Sequence, residues 1–286
     1  MDRPLLWVAA LPALYVFAFC TVPLALLALY SFYSVDFVAI VREPTLDNYR
    51  TALGNPTYRH LVAKALGHGA LVAAIAAVIA YPFAFAVAKR VRHAKAAVLT
   101  LVLIPLYTGD LVRIFAWRVV LGAEGVVNSL LGWLGLIDEP LWFLLFSPFA
   151  TFLVLVYNYL PFMVLALWAS FEAMDDVYLE AAQDLGAGPV DLFTRVVLPL
   201  TSPGLVAGWL MVMVLVAGDY LTPQLVGGSS GVTLTSTILD LFGAAFDWPL
   251  AAALAWVLLL ALAATVTLAA WLFSRHPIGR SLKGGA

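Results

Sequence analysis

Residues Glu180–Pro199 read EAAQDLGAGPVDLFTRVVLP and lie between two long apolar runs. The stretch is a polar interruption, so it belongs on a membrane surface rather than inside the bilayer. Asp175 and Asp176 are suited to start a helix that continues through Tyr178, Leu179, Ala181, Ala182 and Leu185. Gly186 then stands where a helix takes a left-handed C-terminal residue. Gly188 and Pro189 restart the chain, because the fixed φ of proline suits a first helical turn. Val190, Phe193, Val196 and Val197 recur at helical spacing until Leu198-Pro199, where the chain is expected to turn back toward the bilayer. The predicted product is a knob of two short helices joined by a glycine elbow. An ordinary surface hairpin of helices shares this local pattern, so the knob gains meaning only from its setting.

That setting is hydrophobic. Of 286 residues, 64% are hydrophobic and 11% charged, with a mean hydropathy of +0.99. A soluble globule is nearer about 45–50% apolar and about 25% charged. Such a chain cannot coat itself with polar side chains, and lipid must be its solvent. The formal net charge of −2 says nothing about nucleic acid, but no Lys/Arg stripe with interleaved aromatics occurs, so no nucleic-acid partner is expected. The single cysteine, Cys20, sits in an apolar run, excludes an intramolecular disulfide and reads as packing. The uncharged run from Leu5 to Val35 is far longer than the roughly 7–15-residue core of a signal peptide, and reads as a retained first span.

A helix needs about 20 apolar residues to cross the hydrocarbon. Six segments qualify or nearly do: 5–33, 66–88, 96–120, 141–170, 203–218 and 249–273. The fifth is short, but uncharged sequence from Val196 onward can lengthen it. Tyr220–Leu239 is also uncharged, yet its Pro223 and the run Gly227-Gly228-Ser229-Ser230-Gly231 favour a loop or re-entrant turn. Pro12, Pro23, Pro82, Pro105 and Pro161 sit in or near spans, where neighbouring helices satisfy the freed backbone groups. Basic residues set the orientation. Lys89-Arg90-Val91-Arg92-His93-Ala94-Lys95 is cationic and predicted cytoplasmic, whereas 121–140 and 219–248 contain no Lys or Arg. Arg3 at one end and Arg275, Arg280 and Lys283 at the other put both termini on the same cytoplasmic side as 171–202. The loop 34–65, with Arg42, Arg50, Arg59 and Lys64, departs from that rule, which its length and its acids tolerate.

No GxxxxGK[ST] phosphate loop, HExxH motif or Ser/His/Asp set is present, so neither nucleotide binding nor hydrolytic chemistry is expected of this chain. His60, His68, His93 and His276 are scattered near predicted boundaries and read as interfacial polar residues. Charges inside spans are costly. The third span carries Asp110, Arg113 and Arg118, and Asp110 and Arg113 can pair at i,i+3. At about 1.5 Å per residue, Arg113 falls near the outer end of that span, and Asp219 ends the fifth at similar depth. With Trp117 and Tyr220 nearby in sequence, these residues read either as a charged vestibule for solute or as a structural ion-pair network. Glu124, Asp138, Glu139, Asp240 and Asp247 make the outer loops acidic, which concentrates cations or docks a partner protein. Most tryptophans fall near span ends and read as interfacial anchors.

The knob also carries a longer spacing: Glu180-Ala181-Ala182, three residues, Gly186, nine residues, Val196, one residue, Leu198-Pro199. It resembles the cytoplasmic coupling loop of ATP-binding-cassette (ABC) importer permeases. Further resemblance to the spermidine/putrescine-type branch spreads over nearly the whole chain. Its marks are Pro23, Ser31-Phe32-Tyr33, Leu46-Asp47-Asn48-Tyr49, Tyr81-Pro82-Phe83-Ala84, Leu111–Trp117, the Gly125–Asn128 turn, Gly218–Pro223 with Gly227-Gly228, and Asp247–Leu250. At Gly67-His68-Gly69 that branch more often has small hydroxyl or amide residues, which puts the packing there in question.

The resemblance implies an all-α, six-span, MetI-like type I importer fold in a bacterial inner membrane, as one domain over 1–286. It implies a second, usually different, permease subunit and an ABC ATPase dimer that binds ATP and Mg. It further implies an extracytoplasmic solute-binding protein and a small charged solute: a polyamine such as spermidine or putrescine, or else an opine or aminophosphonate. Glu180, Ala181, Ala182, Asp184, Gly186, Leu198 and Pro199 would then form the ATPase contact. A stand-alone secondary transporter or channel, or a scaffold subunit, is the competing class, although no midplane chain of acids and no paired broken helices support it.

Overall fold

The computed structural model describes the backbone of residues 3–36, 39–91 and 93–275. The chain divides into two compact units, 1–62 with 234–261 and 63–233 with 262–286. Arg275 closes the last helix, and Arg280, Lys283 and His276 lie outside the described residues.

In the first unit, helix α1 (Arg3–Tyr30) runs into a two-stranded antiparallel ribbon, β1 (Ser34–Asp36) and β2 (Ala39–Val41), with Val35 opposite Ile40. This ribbon is the only β structure among the described residues. Helix α2 (Asp47–Gly54) follows. Buried Ser31 donates to the Ala28 carbonyl at 2.6 Å and shares a 2.7 Å hydrogen bond with the Tyr49 hydroxyl. Asn48 donates to the carbonyls of Ser31 and Tyr33 at 2.9 and 2.6 Å. The Ser31–Tyr33 and Leu46–Tyr49 patterns are therefore two halves of one connection, which locks α2 onto the end of α1.

Helix α3 (Pro56–Lys89) shows why the second unit packs as it does. Val72, Ala76, Ala80, Ala84 and Ala88 recur every four residues and are all buried, while Val78 on another face is 75% exposed. Small residues let neighbouring backbones approach closely, and the exposed apolar face suits lipid. Gly69 answers the question raised by Gly67-His68-Gly69. A Cβ there would lie 2.7 Å from the Met213 carbonyl oxygen, whereas nothing lies within 4 Å of one at Gly67. His68 meets the Phe152 ring edge-to-face, with centroids 4.8 Å apart.

The expected third span, 96–120, is not one helix. It is α4 (Lys95–Tyr107) and α5 (Asp110–Leu121), separated where Thr108 is extended and Gly109 starts the next helix. Pro105 weakens the turn above it, Gly109 is a poor helix former, and Asp110 is favoured in a first turn by the helix dipole. Helix α6 (Val126–Trp133) follows a turn at Gly125, where a Cβ would lie 2.4 Å from the Val119 carbonyl oxygen. Buried Asn128 bridges the Gly122 carbonyl and the Leu141 N–H. The fourth span also starts later than expected, because α7 (Pro148–Glu172) begins at a Ser147 cap that accepts from the Ala150 N–H at 3.1 Å. A cap followed by proline at the first turn is a strong start signal. Residues 141–147 hold only a single 3-10 turn, Trp142–Leu144.

After α8 (Val177–Asp184), α9 (Pro189–Leu192) passes through a π turn at Phe193–Val197 directly into α10 (Leu198–Gly218). The expected reversal at Leu198-Pro199 does not occur. Proline clashes with the carbonyl four residues back in an α-helix. The π turn widens that turn, and the Leu198 N–H bonds the Phe193 carbonyl instead. A second proline, Pro203, removes the normal partner of the Pro199 carbonyl, and the Ser202 hydroxyl replaces it at 2.6 Å. Helix α10 crosses α7 closely at Gly204 and Gly208, a small-xxx-small pair that faces Met163, Ala166 and Ser170. The chain then makes α11 (Leu221–Val226), a 3-10 turn at Gly228–Gly231, α12 (Leu234–Phe242) and α13 (Trp248–Arg275). Tyr220–Leu239 is thus short helical pieces rather than a span.

Five described helical stretches are long and apolar enough to cross a membrane: Pro56–Lys89, Asp110–Trp133, Pro148–Glu172, Pro189–Gly218 and Trp248–Phe273. The remaining expected span, 5–33, coincides with α1, whose described apolar part is Phe17–Tyr30.

Candidate functional site

Two features stand out, the first where the chain passes from α7 to α10 and the second beyond the far end of α10, against the middle of α7. The first is the knob. Asp175 rather than Asp176 caps α8, its carboxylate accepting from the Val177 N–H at 3.1 Å. At the far end Gly186 has φ +81°. Its N–H bonds the Gln183 carbonyl at 2.9 Å, and the Ala187 N–H bonds the Ala182 carbonyl at 3.0 Å. That pair of bonds is a Schellman motif, which ends a helix and fixes its exit direction. The elbow angle is set by the backbone. The Glu180 side chain is exposed, and its N–H bonds the Asp176 carbonyl at 3.1 Å within α8. Ala181, Asp184 and Gly186 are also exposed, while Ala182, Leu198 and Pro199 are half-buried. Leu185 is 89% and Val190 75% exposed, with Val177 and Tyr178 exposed beside them.

The root of the knob is held by lysines of the cationic loop. Lys89 Nζ donates to the Asp176 carboxylate and to the Met174 carbonyl, both at 2.6 Å, and its side chain is only 11% exposed. Lys95 Nζ meets Glu172 at 2.5 Å. An aromatic clasp joins α3 to the π turn: Tyr81 is edge-to-face with Phe171 and Phe193, and its hydroxyl bonds Thr201 at 2.7 Å. Beside the clasp opens a cavity of about 850 Å³, lined chiefly by apolar residues including Val78, Phe85, Leu192 and Leu205.

The second feature is a charged cluster. Arg113 on α5 donates through Nη2 to Asp110, one turn back. Arg113 is 10% exposed and Asp110 66%. Asp219, just past α10, accepts from the Thr222 N–H at 3.0 Å, the Thr222 hydroxyl at 2.7 Å and the Tyr159 hydroxyl at 3.1 Å. It therefore caps α11 and ties it to α7. Helix α5, which carries Asp110 and Arg113, packs against both α7 and α11, the two helices that Asp219 joins. Trp117 instead packs edge-to-face on Tyr157 at 5.2 Å, and Tyr220 enters these bonds only through its carbonyl, which accepts from the Gln224 N–H. Arg118 lies over the rings of Phe115 and Phe146.

Sequence reasoning missed Tyr159, Asn158 and Thr222. Thr222 was signalled by the Asp219-x-x-Thr222 spacing of a cap, whereas Tyr159 and Asn158 lie about 60 residues away with no local signal.

Spans joined by a helical knob, with a charged cluster beyond the far end of α10, define a multi-pass membrane transport component. The chain belongs to the family of binding-protein-dependent transport system inner membrane components, whose model matches residues 80–276. It is accordingly an ABC importer permease subunit of the inner membrane. It is 38% identical over 224 residues to the spermidine/putrescine transport system permease protein PotB of Escherichia coli K12, covering 78% of this chain and 81% of that one. To the protein of the same name from Haemophilus influenzae it is 36% identical over 236 residues, covering 82% of each. In fold it is similar to a chain of a crystallised bacterial alginate ABC transporter, with a TM-score of 0.76 and 19% identity over 95% of this chain and 94% of that one.

Proposed function

We propose that this subunit carries a small cationic solute of the polyamine class, and that the knob is its contact with a separate ATPase dimer. The observation that carries the coupling reading is mechanical. The Schellman-locked elbow ends in a helix continuous through Pro189–Gly218, so a displacement of the knob is transmitted along α10 without a flexible joint. Leu185, Val190, Val177 and Tyr178 give the knob an apolar surface that lipid does not cover outside the bilayer and that a protein groove does. Glu180, Ala181, Ala182, Asp184 and Gly186 lie on or beside that surface, and Leu198-Pro199 forms its junction with α10. ATP and Mg bind the ATPase in this reading, and this chain contributes no catalysis. A second permease subunit completes the pathway, a solute-binding protein delivers cargo from outside, and both termini are cytoplasmic.

The polyamine class is supported by the names of the PotB relatives and by the acids of the outer cluster and loops. The test is uptake of radiolabelled putrescine and spermidine by proteoliposomes holding the assembled transporter, with and without internal ATP. ATP-dependent accumulation is expected. Uptake driven by a gradient without ATP overturns the coupling reading, and ATP-dependent uptake of anions alone overturns the solute class.

A further inference from the structure

The charged cluster is out of balance within itself. Arg113 has three nitrogens, and in this state only Nη2 has a partner. Nε and Nη1 are buried with no acceptor, although the side chain is nine-tenths buried. A buried donor left unmade costs about 1–3 kcal/mol, which an arrangement of the same groups that satisfies it would recover. The acceptors for that arrangement are present. Asn158 Oδ1 is buried without a donor, while its Nδ2 faces the Thr222 hydroxyl at 3.4 Å. Asp219 accepts three hydrogen bonds, and a carboxylate offers about four acceptor positions. Asp110, meanwhile, is the exposed member of the cluster and is held by a single group, the Arg113 guanidinium.

We propose that Arg113 is a built-in stand-in for the solute: its guanidinium occupies Asp110 until a solute ammonium takes that carboxylate, and then moves to Asn158 and Asp219. Asp110 is thus an ammonium site, and Asp219 is a positioning residue that receives the displaced arginine. The exchange couples cargo to structure, because Asp219 already binds Tyr159 of α7 and Thr222 of α11. A ligand shifts a conformation only through such a difference in contacts between states. The inference rests on the cationic-solute reading.

The test is equilibrium binding of radiolabelled putrescine to the detergent-solubilised, assembled transporter without its soluble binding protein. Asp110→Asn removes the site and is expected to weaken binding about tenfold or more. Arg113→Gln removes the competitor and is expected to tighten binding about fivefold. Opposite signs distinguish exchange from a structural ion pair, in which both substitutions lower binding and melting temperature together. That outcome, or unshifted affinity in both variants, overturns the proposal. If Arg113→Gln does not accumulate, Asp219→Asn tests the receiving side, where weaker diamine binding is expected and unchanged binding overturns the exchange. If the wild-type transporter takes up neither putrescine nor spermidine, the cationic reading falls and the ammonium site with it. Normal uptake with unshifted binding removes the exchange alone.

Discussion

Gly186 has φ +81° and no neighbouring atom within 4 Å of where a Cβ would stand. Space is therefore not what forbids a side chain there. The constraint is conformational, because a left-handed residue bearing a branched Cβ is strained by about 1–3 kcal/mol. Gly186→Val is expected to break the Ala187–Ala182 and Gly186–Gln183 bonds and let the elbow open. Membrane abundance by immunoblot should match wild type while solute uptake is lost. Gly186→Asn, which tolerates the left-handed region, should retain much of the uptake. Equal activity of the valine variant would show that the elbow angle is not used. Gly186 was readable in advance because the signal is local: a glycine closing one helical pattern just before a Gly-Pro start. The exposure of Glu180 was not, because exposure is a property of the folded knob.

Among elements, hydropathy located the spans but not their breaks. A window of about 20 residues averages over Thr108-Gly109-Asp110, so α4 and α5 merged into one predicted helix. The join at Leu198-Pro199 misled in the opposite direction. A proline after a helical run reads as a stop, yet one π turn and the Ser202 hydroxyl carry the helix through Pro199 and Pro203. Ser202→Ala should leave the Pro199 carbonyl without that donor and cost about 1–3 kcal/mol. The expected readout is a lower melting temperature of the purified protein. Glycines of α3 provide a paired test of packing. Gly69→Ala must push a Cβ against the Met213 carbonyl oxygen at 2.7 Å, and backbone at both sides resists the shift. A loss of about 1–3 kcal/mol is expected. Gly67→Ala meets nothing and gains helix propensity of about 1 kcal/mol, so its melting temperature should hold or rise. If the two alanines behave alike, close approach at Gly69 is not what fixes α3 against α10.

For the molecule as a transport machine, the contact least visible in the sequence is the one that ties its helices to the knob. Lys89 and Asp176 are 87 residues apart, and Lys89 first drew notice only as part of a charge run that sets orientation. In the fold it closes α3 onto the start of α8, while Lys95 and Glu172 join the start of α4 to the end of α7. Motion imposed on the knob therefore has two kinds of route into the membrane: along the chain itself, into α7 and through the π turn into α10, and through Lys89 to α3. The carboxylate of Asp176 is 66% exposed, and pairs of that kind contribute only about 0–1 kcal/mol to stability. Lys89→Met keeps the apolar stem that packs along the cavity but removes the charge. It should leave melting temperature and membrane insertion nearly unchanged. If the second route carries force, the assembled transporter should still hydrolyse ATP while moving less solute per ATP, and Asp176→Asn should give the same deficit. The double variant should then be no worse than either single one, because both remove the same link. Strictly additive losses would mean that the two residues act separately, and a full transport ratio in Lys89→Met would leave the chain's own joins to α7 and α10 as the path from knob to bundle.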